Sequence, residues 1–337
     1  MTEELIGEQK LEAIRNRYID VLAPAFFPQD PVSPDIIRYF ASLLRVVGAE
    51  DKGWDPYAES RAILEDINSL MKIDLPEARF PDPTHTTFRL GLLFYNHIVE
   101  MDAPYEVLTN LLRFKLGLGY SPNPFYQFLT EKQKKRSQSV GLFPRQKIDI
   151  IKRLGTDADL PIAEMIEEFY RGDLRNAISH SDFILTDDDF RCRNGNWTGA
   201  FRISYQELDD IITKAKAFIS AFFVLEREAR LFWGERAGQA IPYDQVYKGL
   251  MEVLVDKEGL MNGFKVHWPN NSESIYRRTE GGIDMCNCML DLKNSTIQLF
   301  VGLYARSPGP FSPLVEIDAQ PIYTKIEGSD AEIHWSL

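Results

Sequence analysis

A long amphipathic segment in the second half of the chain constrains the fold more than any other feature of the sequence. Ser204 and Glu207 stand three residues apart in the pattern of a capping box, in which both side chains satisfy backbone N–H groups that a helix start leaves unpaired. Apolar residues then recur at intervals of three and four, as on the buried face of a helix. The pattern predicts a long amphipathic helix through Leu208, Ile211, Ile212, Ala215, Phe218, Ile219, Phe222 and Leu225.

A shorter helical run and a hairpin pattern come before this helix. Ile162 to Tyr170 carries apolar residues at helical spacing. Farther along, Phe183 to Leu185 and Phe190 to Arg193 are separated by an acidic turn. Asn194-Gly195 is the residue pair that a tight type I′ turn requires, and Trp197 to Ile203 is then the returning strand. The predicted order is therefore helix, small hairpin and long helix.

Arg175 and His180 lie between the helical run and the hairpin, within the stretch Arg-Asn-Ala-Ile-Ser-His. A guanidinium can hold two phosphate oxygens with charge-assisted hydrogen bonds. An imidazole can move a proton near neutral pH. The two residue types suit cleavage of an RNA backbone, because the 2′-hydroxyl of RNA supplies the nucleophile and the protein needs no serine, cysteine or metal ion for it.

The stretch from Arg175 to His180 resembles the Arg-(four to six residues)-His motif of the HEPN family (higher eukaryotes and prokaryotes nucleotide-binding), and residues 86–233 resemble its helical bundle with a small β-hairpin insertion. Many members are metal-independent ribonucleases, including those of microbial defence and toxin–antitoxin systems, and they usually build their site across a dimer interface. The resemblance implies that His180 is the general acid or base and that Arg175 stabilises the charged transition state. It implies that Asn176 positions the phosphate or braces His180. The resemblance further implies a homodimer that binds RNA, uses no cofactor and leaves 2′,3′-cyclic phosphate ends. An antitoxin or another protein partner would also fit this family.

Helix geometry gives a separate reason to expect two copies of the chain. Residues five apart on an ideal helix are rotated by about 140° from each other. Arg175 and His180 therefore do not share a face, whereas Asn176 and His180, four apart, do. Two side chains that point apart on one helix meet most simply where two copies of the helix pair with two-fold symmetry.

Two other interpretations of the motif remain open. The bundle could dimerise and bind RNA, a nucleotide or a partner protein without catalysis, with Arg175 only gripping phosphate. Alternatively both residues are structural, with His180 near the last carbonyls of a helix and Arg175 paired with a carboxylate. Asp173 and Asp182 are close enough in sequence to be such partners, and Asp182 could instead orient His180.

The charge of the chain restricts how it can bind nucleic acid. The net charge of −12 argues against broad electrostatic adhesion to RNA. Between Glu131 and Arg153, however, eight lysines and arginines outnumber two acidic residues. This basic segment predicts a surface that guides RNA phosphates, and a solvated helix face is the alternative. The residues predicted to bind substrate are Lys134, Lys135, Arg136 and Arg145.

The chain divides into three predicted parts. Residues 1–82 form an N-terminal helical extension, residues 83–236 the HEPN-like bundle and residues 240–337 a small α+β domain. In the last part Ile241 to Val255 is interpreted as a helix, and alternating apolar residues predict strands after it. The predicted fold class is therefore mainly α, an antiparallel helical bundle with a small β-hairpin insertion, followed by a small C-terminal α+β domain.

Cysteine usage and the N-terminal residues bear on location and on metal binding. The chain has three cysteines, which form no disulfide framework, and its acidic start lacks the pattern of a secretion signal. A cytoplasmic protein without a membrane partner is expected. Cys286 and Cys288 alone are a weak metal signal, and no metal site is predicted. His97 and Glu100, three apart on an apolar helix, could meet on one face, either as a buried polar pair or in the cleft of His180.

Overall fold

The described part of the chain is mainly helical, with antiparallel strands near residue 190 and after residue 240. The computed structural model describes residues 3–27, 36–45, 56–76, 78–193, 200–244, 249–268, 271–279, 282–291, 296–299, 320–322 and 334–336. The helices in these residues are α1 (Glu3–Phe26), α2 (Ile36–Leu44), α3 (Pro56–Leu70), α4 (Pro83–Glu100), α5 (Asp102–Lys115), the 3₁₀ helix η1 (Tyr126–Phe128), α6 (Glu131–Val140), α7 (Pro144–Ala158), α8 (Ile162–Glu167), α9 (Gly172–Ser179) and α10 (Tyr205–Gly234). None of the described helices combines the length and the apolar character needed to cross a membrane.

The strands form small antiparallel sheets. Among the described residues, β1-β2-β3 make a three-stranded sheet, β4 to β8 make a five-stranded sheet in sequence order, and the other strands pair in twos as β9-β10 and β11-β12. The strands are β1 (Phe183–Leu185), β2 (Asp189–Arg193), β3 (Ala200–Ser204), β4 (Ile241–Asp244), β5 (Gly249–Val255), β6 (Met261–His267), β7 (Glu273–Thr279), β8 (Gly282–Cys286), β9 (Cys288–Asp291), β10 (Thr296–Leu299), β11 (Gln320–Ile322) and β12 (His334–Ser336).

Contacts between residues divide the chain into two compact units, each assembled from three segments. Unit 1 consists of Met1–Pro24, Asp55–Tyr105 and Phe128–Val224. Unit 2 consists of Ala25–Trp54, Glu106–Gln127 and Leu225–Leu337. The three successive parts predicted from the sequence, 1–82, 83–236 and 240–337, therefore do not coincide with these units. Patterns along a chain reveal where elements begin and end, but not which distant segments share a core.

The core of unit 1 joins α4, α10 and the short helices α8 and α9. Tyr95 on α4 donates a hydrogen bond to the Phe169 carbonyl at 3.2 Å and accepts one from the Arg171 N–H at 2.9 Å. These bonds hold the break between α8 and α9, so the predicted helical run is two helices, with Arg175 on the second. Phe169 also packs on Phe218 of α10, with ring centroids 5.2 Å apart. The motif helix is thus attached to a buried aromatic core.

The three-stranded sheet occupies the place predicted for the hairpin. Its strands β1, β2 and β3 pair in that order, and the stacked rings of Phe183 and Phe190 fill its apolar side, with centroids 5.3 Å apart. Asn194-Gly195, the predicted turn, lies outside the described residues. Ser204 accepts a hydrogen bond from the Glu207 N–H at 3.2 Å, which forms one half of the predicted capping box at the start of α10.

Unit 2 contains α2 and the five-stranded sheet. Val253, Phe264 and Tyr276 stand in one row across β5, β6 and β7, and all three are buried. Phe40 of α2 covers this apolar face, with its ring centroid 6.4 Å from that of Phe264 and 4.8 Å from that of Trp233. The opposite face of the sheet carries the charged residues Glu252, Lys265, Arg277 and Asp284.

The interpretation of Ile241 to Val255 as a helix is wrong. The structure has strands β4 and β5 there, and all elements described in residues 240–337 are strands, so the C-terminal part is β rather than α+β in its described residues. The run from Leu250 to Val253 in β5 is buried throughout. Such a run lacks alternation, and a strand buried on both sides cannot be told from a helix by periodicity alone.

Candidate functional site

The motif ends at a well-defined helix terminus. His180 is the residue that caps α9, with φ −98° and ψ 2°. The Asp182 N–H donates to the Ala177 carbonyl at 2.9 Å, and the Ser181 N–H donates to the Ile178 carbonyl at 3.1 Å. This pair of hydrogen bonds is a Schellman ending, which needs a left-handed residue after the cap. Ser181, with φ 54°, takes the place where glycine is usual.

One side of α9 is buried and the other carries polar motif residues. Asn176 and His180 are both exposed and lie four residues apart, as the sequence pattern predicts for a shared face. Leu174 and Ile178 are buried on the other side of the helix. The side chains of His180 and Asn176, both predicted to be catalytic, are therefore accessible to a ligand.

Two polar contacts attach α9 to α4. The Ser179 hydroxyl donates to Asn96 Oδ1 at 3.1 Å, and Arg175 Nε donates to a carboxylate oxygen of Glu100. Asn96 and Glu100 are four residues apart and lie on the same face of α4. This face of α4 therefore packs beside the motif helix α9. The spacing of His97 and Glu100 allowed them to meet, but Glu100 binds Arg175, and the buried Nε2 of His97 has no hydrogen-bond partner among the described residues.

Arg175 is the most constrained side chain of the motif. It is only 17% exposed, and besides Glu100 it donates from Nη1 to the Asn176 side-chain oxygen at 2.9 Å. The hydrogen bond to Glu100 raises the pKa of the Arg175 guanidinium above its ordinary value, against the opposing effect of burial. The interpretation that Arg175 pairs with a carboxylate thus has a structural basis, but the carboxylate is 75 residues away. Asp173, the neighbour considered from sequence, instead binds Arg171 at 2.9 Å.

Aromatic rings bring part of the basic segment to Arg175. The guanidinium carbon of Arg136 lies 5.0 Å from the centroid of the Phe143 ring, and that of Arg175 lies 5.9 Å from the same ring. Tyr170 is half-buried, and burial raises the pKa of its hydroxyl, while the nearby charges of Arg175 and Arg145 oppose the shift. Arg136 and Arg145, two of the four predicted substrate-binding residues, therefore lie near the motif.

The other two predicted substrate-binding cations, Lys134 and Lys135, lie on α6. Lys134 pairs with Glu131 on its own helix at 2.8 Å. Lys135 is exposed, and no contact joins it to the motif within the part of the chain that the structure describes. Arg145 itself pairs with Asp149 at 2.8 Å and Glu167 at 3.1 Å. The predicted basic surface is therefore smaller and less positive than the local sequence suggests.

Two further cations of the basic segment are neutralised by carboxylates from outside it. Lys147 is buried and forms an ion pair with Asp102 at the start of α5, beneath the ring of Tyr105. Lys152 pairs with Glu167 at 3.3 Å. A buried lysine with its own carboxylate is a structural group rather than a phosphate ligand.

The ring of His180 has no fixed partner. Neither Asp182, which is also exposed, nor any other described side chain forms a hydrogen bond or ion pair with it. The interpretation in which Asp182 orients His180 is therefore without support in the described contacts. A general base is commonly oriented by a third group, and the described residues supply none for His180.

Asn96, Phe143 and Tyr170 lie near the motif but were not recognised as site residues from the sequence, whereas Glu100 was considered there together with His97. Asn96 and Glu100 gave a usable signal, since they are polar residues four apart in an otherwise apolar helix. Phe143 and Tyr170 gave none, because an aromatic residue before a proline or at the end of a helical run is usually part of a core.

Within the described ranges, histidine, cysteine and carboxylate side chains do not converge in threes in a way that could hold a metal ion. Comparisons of the chain with protein-family models, with curated proteins and with solved structures found no match. The function is therefore argued from the residues of the site themselves.

Proposed function

We propose that the protein is a metal-independent endoribonuclease of the HEPN type that acts as a homodimer in microbial defence or toxin–antitoxin systems. The observation that carries this proposal is the arrangement at the end of α9. His180 and Asn176 are exposed on one face, and Arg175 beside them is held by Glu100 and Asn176. An exposed acid–base group next to a pre-oriented cation is the pairing that cleavage of an RNA backbone requires.

The proposed reaction needs two proton transfers. The RNA 2′-oxygen forms a bond to phosphorus, the bond from phosphorus to the 5′-oxygen breaks, and a 2′,3′-cyclic phosphate remains. His180 accepts the proton of the 2′-hydroxyl, and His180 of the partner subunit delivers a proton to the departing 5′-oxygen. Arg175 stabilises the negative charge that develops on the phosphate oxygens.

The guanidinium of Arg175 can serve this role while it stays paired with Glu100. Its Nε is directed to Glu100 and its Nη1 to Asn176. A guanidinium also has N–H groups on Nη2, and these are available to a phosphate oxygen. Glu100 therefore fixes the orientation of Arg175 without using all of its donors.

Exposed apolar side chains on unit 1 support the homodimer. Leu93 is 55% exposed and lies one helical turn before Asn96, which contacts the motif helix. Ile184 is 60% exposed and follows His180 by four residues. A two-fold contact over the end of α9 would cover both side chains and bring two copies of His180 together.

The rival proposal is a non-catalytic dimerisation module that binds RNA, a nucleotide or a partner protein. Two observations favour it. The cations Arg145, Lys147 and Lys152 are already neutralised by carboxylates, and the His180 ring has no described partner to orient it. In this case Arg175 contacts phosphate but no bond is cleaved.

The test compares wild type, His180→Ala and His180→Asn on mixed cellular RNA in excess EDTA. Asparagine is tolerated at a helix end, so the second variant controls for loss of the helix cap. Cleavage by wild type alone, with cyclic phosphate ends, is the expected result. Equal cleavage by all three proteins would refute the mechanism. RNA binding without cleavage would favour the rival, and a stable monomer at micromolar concentration in sedimentation would refute the shared site.

A further inference from the structure

A pocket of about 490 Å³ lies on the charged face of the five-stranded sheet in unit 2. Its walls include Glu252 on β5, Lys265 on β6, Arg277 on β7 and Asp284 on β8. The volume is within the range of about 300–1,000 Å³ that is typical of small-molecule sites. All four side chains come from one unit and one sheet.

The strand register places these charges in order across the sheet. Glu252 is opposite Lys265 on the neighbouring strand, and Arg277 is opposite Asp284. Residues directly opposite in antiparallel strands point to the same face. Lys265 is opposite Ile275, so Arg277 is its diagonal neighbour, two residues farther along β7. The order across the four strands is therefore negative, positive, positive, negative.

Gly263 lies beside the two cations, where β6 and β7 approach each other closely. It is opposite Arg277 and two residues from Lys265 on the same face. A Cβ at this position would lie 2.3 Å from the Tyr276 carbonyl oxygen, so the backbone approach admits glycine only. The close approach of β6 and β7 at this position keeps Lys265 and Arg277 as diagonal neighbours on the charged face.

A buried carboxylate belongs to the wall of the same pocket. Glu252 is only 7% exposed, and its Oε2 lies 2.9 Å from Nε2 of His267. A buried carboxylate requires partners, and two oxygens offer more acceptor sites than one imidazole N–H can fill. Lys265, which faces it across the strands, also lies 3.5 Å from Glu273.

We propose that this pocket binds a small zwitterion that carries one carboxylate and one ammonium group, such as an α-amino acid. The ligand carboxylate lies between Lys265 and Arg277, and the ammonium group binds Glu252. Carboxylates at both ends of the row disfavour a ligand with several negative charges. The proposal concerns unit 2 alone and does not depend on ribonuclease activity.

The test is calorimetric titration of the full chain with each standard amino acid. For any amino acid that binds, the amine without the carboxylate and the acid without the ammonium group serve as matched probes. Arg277→Met and Lys265→Met are expected to weaken binding by about tenfold or more, because each removes a charge-assisted hydrogen bond. Glu252→Gln is expected to weaken amino-acid binding while the amine-free acid is unaffected. Lys72→Met, an exposed lysine of unit 1, is the control and is expected to bind like wild type.

Three outcomes would overturn the proposal. The first is that no amino acid binds, and the second is that the amine-free acid binds as tightly as the amino acid. The third is that binding is unchanged in both Arg277→Met and Lys265→Met. Arg277 is exposed, so its variant is expected to fold, and the melting temperature of each variant is measured alongside.

Discussion

The ion pair between Arg175 and Glu100 makes a quantitative prediction about the motif. If the pair holds α9 against α4, Glu100→Gln and Arg175→Met should each destabilise unit 1, and the double variant should lose less than the two single losses together. The interaction free energy is the difference between these quantities. It isolates the pair from the effects of each substitution on packing.

The expected interaction free energy of Arg175 and Glu100 depends on how deeply the ion pair is buried. Arg175 is 17% exposed and Glu100 is 35% exposed, so the pair is neither at the surface nor fully buried. Exposed pairs contribute roughly 0.2–1 kcal/mol, whereas breaking a buried pair costs roughly 3–5 kcal/mol. We expect an interaction free energy of about 1–2 kcal/mol. The pair of Arg61 and Glu65 on α3, with side chains 40% and 66% exposed, is the matched control and should give about 0.3–0.5 kcal/mol.

Urea unfolding followed by helical circular dichroism measures both cycles. Added salt should weaken the Arg61–Glu65 interaction more than the Arg175–Glu100 interaction, because exposed charges are screened more strongly. An interaction free energy for Arg175 and Glu100 no larger than that of the control would refute the reasoning. The motif arginine would then be held by something other than Glu100.

Three further predictions concern stability and thiol chemistry. Ser181→Gly should raise the free energy of unfolding by about 1 kcal/mol, because Ser181 has a left-handed backbone with φ 54°; a lower urea midpoint would contradict this. The hydrogen bonds from Arg17 lower the pKa of Glu168 below its ordinary value of 4.5. The stability lost in Glu168→Gln should therefore be fully apparent above pH 4.5, and the loss should vanish as the pH falls through the lowered pKa. A pH-independent difference in melting temperature between the variant and wild type would contradict this prediction. Cys286 is exposed, whereas burial raises the pKa of Cys288 to about 12, so iodoacetamide should label Cys286 first, and equal labelling rates by mass spectrometry would show this to be wrong.

Local sequence signals were reliable where the physical cause is also local. A capping serine, helical spacing and a pair of short strand patterns depend on residues within a few positions of each other. The start of α10 at Tyr205, directly after Ser204, and the strands β1 to β3 were predicted for this reason. The exposed face shared by Asn176 and His180 follows from helix geometry alone.

Long-range partners could not be predicted in the same way. The basic segment seemed positive in the sequence because its neutralising carboxylates, Asp102 and Glu167, lie outside it. Arg175 likewise binds Glu100, 75 residues away, rather than a neighbouring aspartate. A net charge summed along a segment counts only the residues of that segment. It omits the carboxylates from elsewhere in the chain that pair with its cations in the folded protein.

The misinterpretation of Ile241 to Val255 as a helix has a different cause. Its apolar residues match helical spacing, and Gly249 stands inside it without an obvious break. In the structure Gly249 begins β5, where a Cβ would lie 2.6 Å from the ring of Trp268. The glycine is therefore required by the close approach of a residue 19 positions later, a contact that periodicity does not register.

The role of Glu100 separates the functional interpretations of Arg175. If Arg175 is catalytic, Glu100 orients a guanidinium whose Nη2 donors bind the phosphate, and Glu100→Gln should lower the rate of RNA cleavage with little change in RNA affinity, because orientation matters most in the transition state. If Arg175 only binds phosphate, Glu100 competes with the ligand for its charge, and the same variant should bind RNA more tightly. If Arg175 is purely structural, Glu100→Gln should lower stability and leave RNA affinity unchanged. One substitution, measured in stability, binding and cleavage assays, therefore distinguishes three accounts that the sequence leaves open.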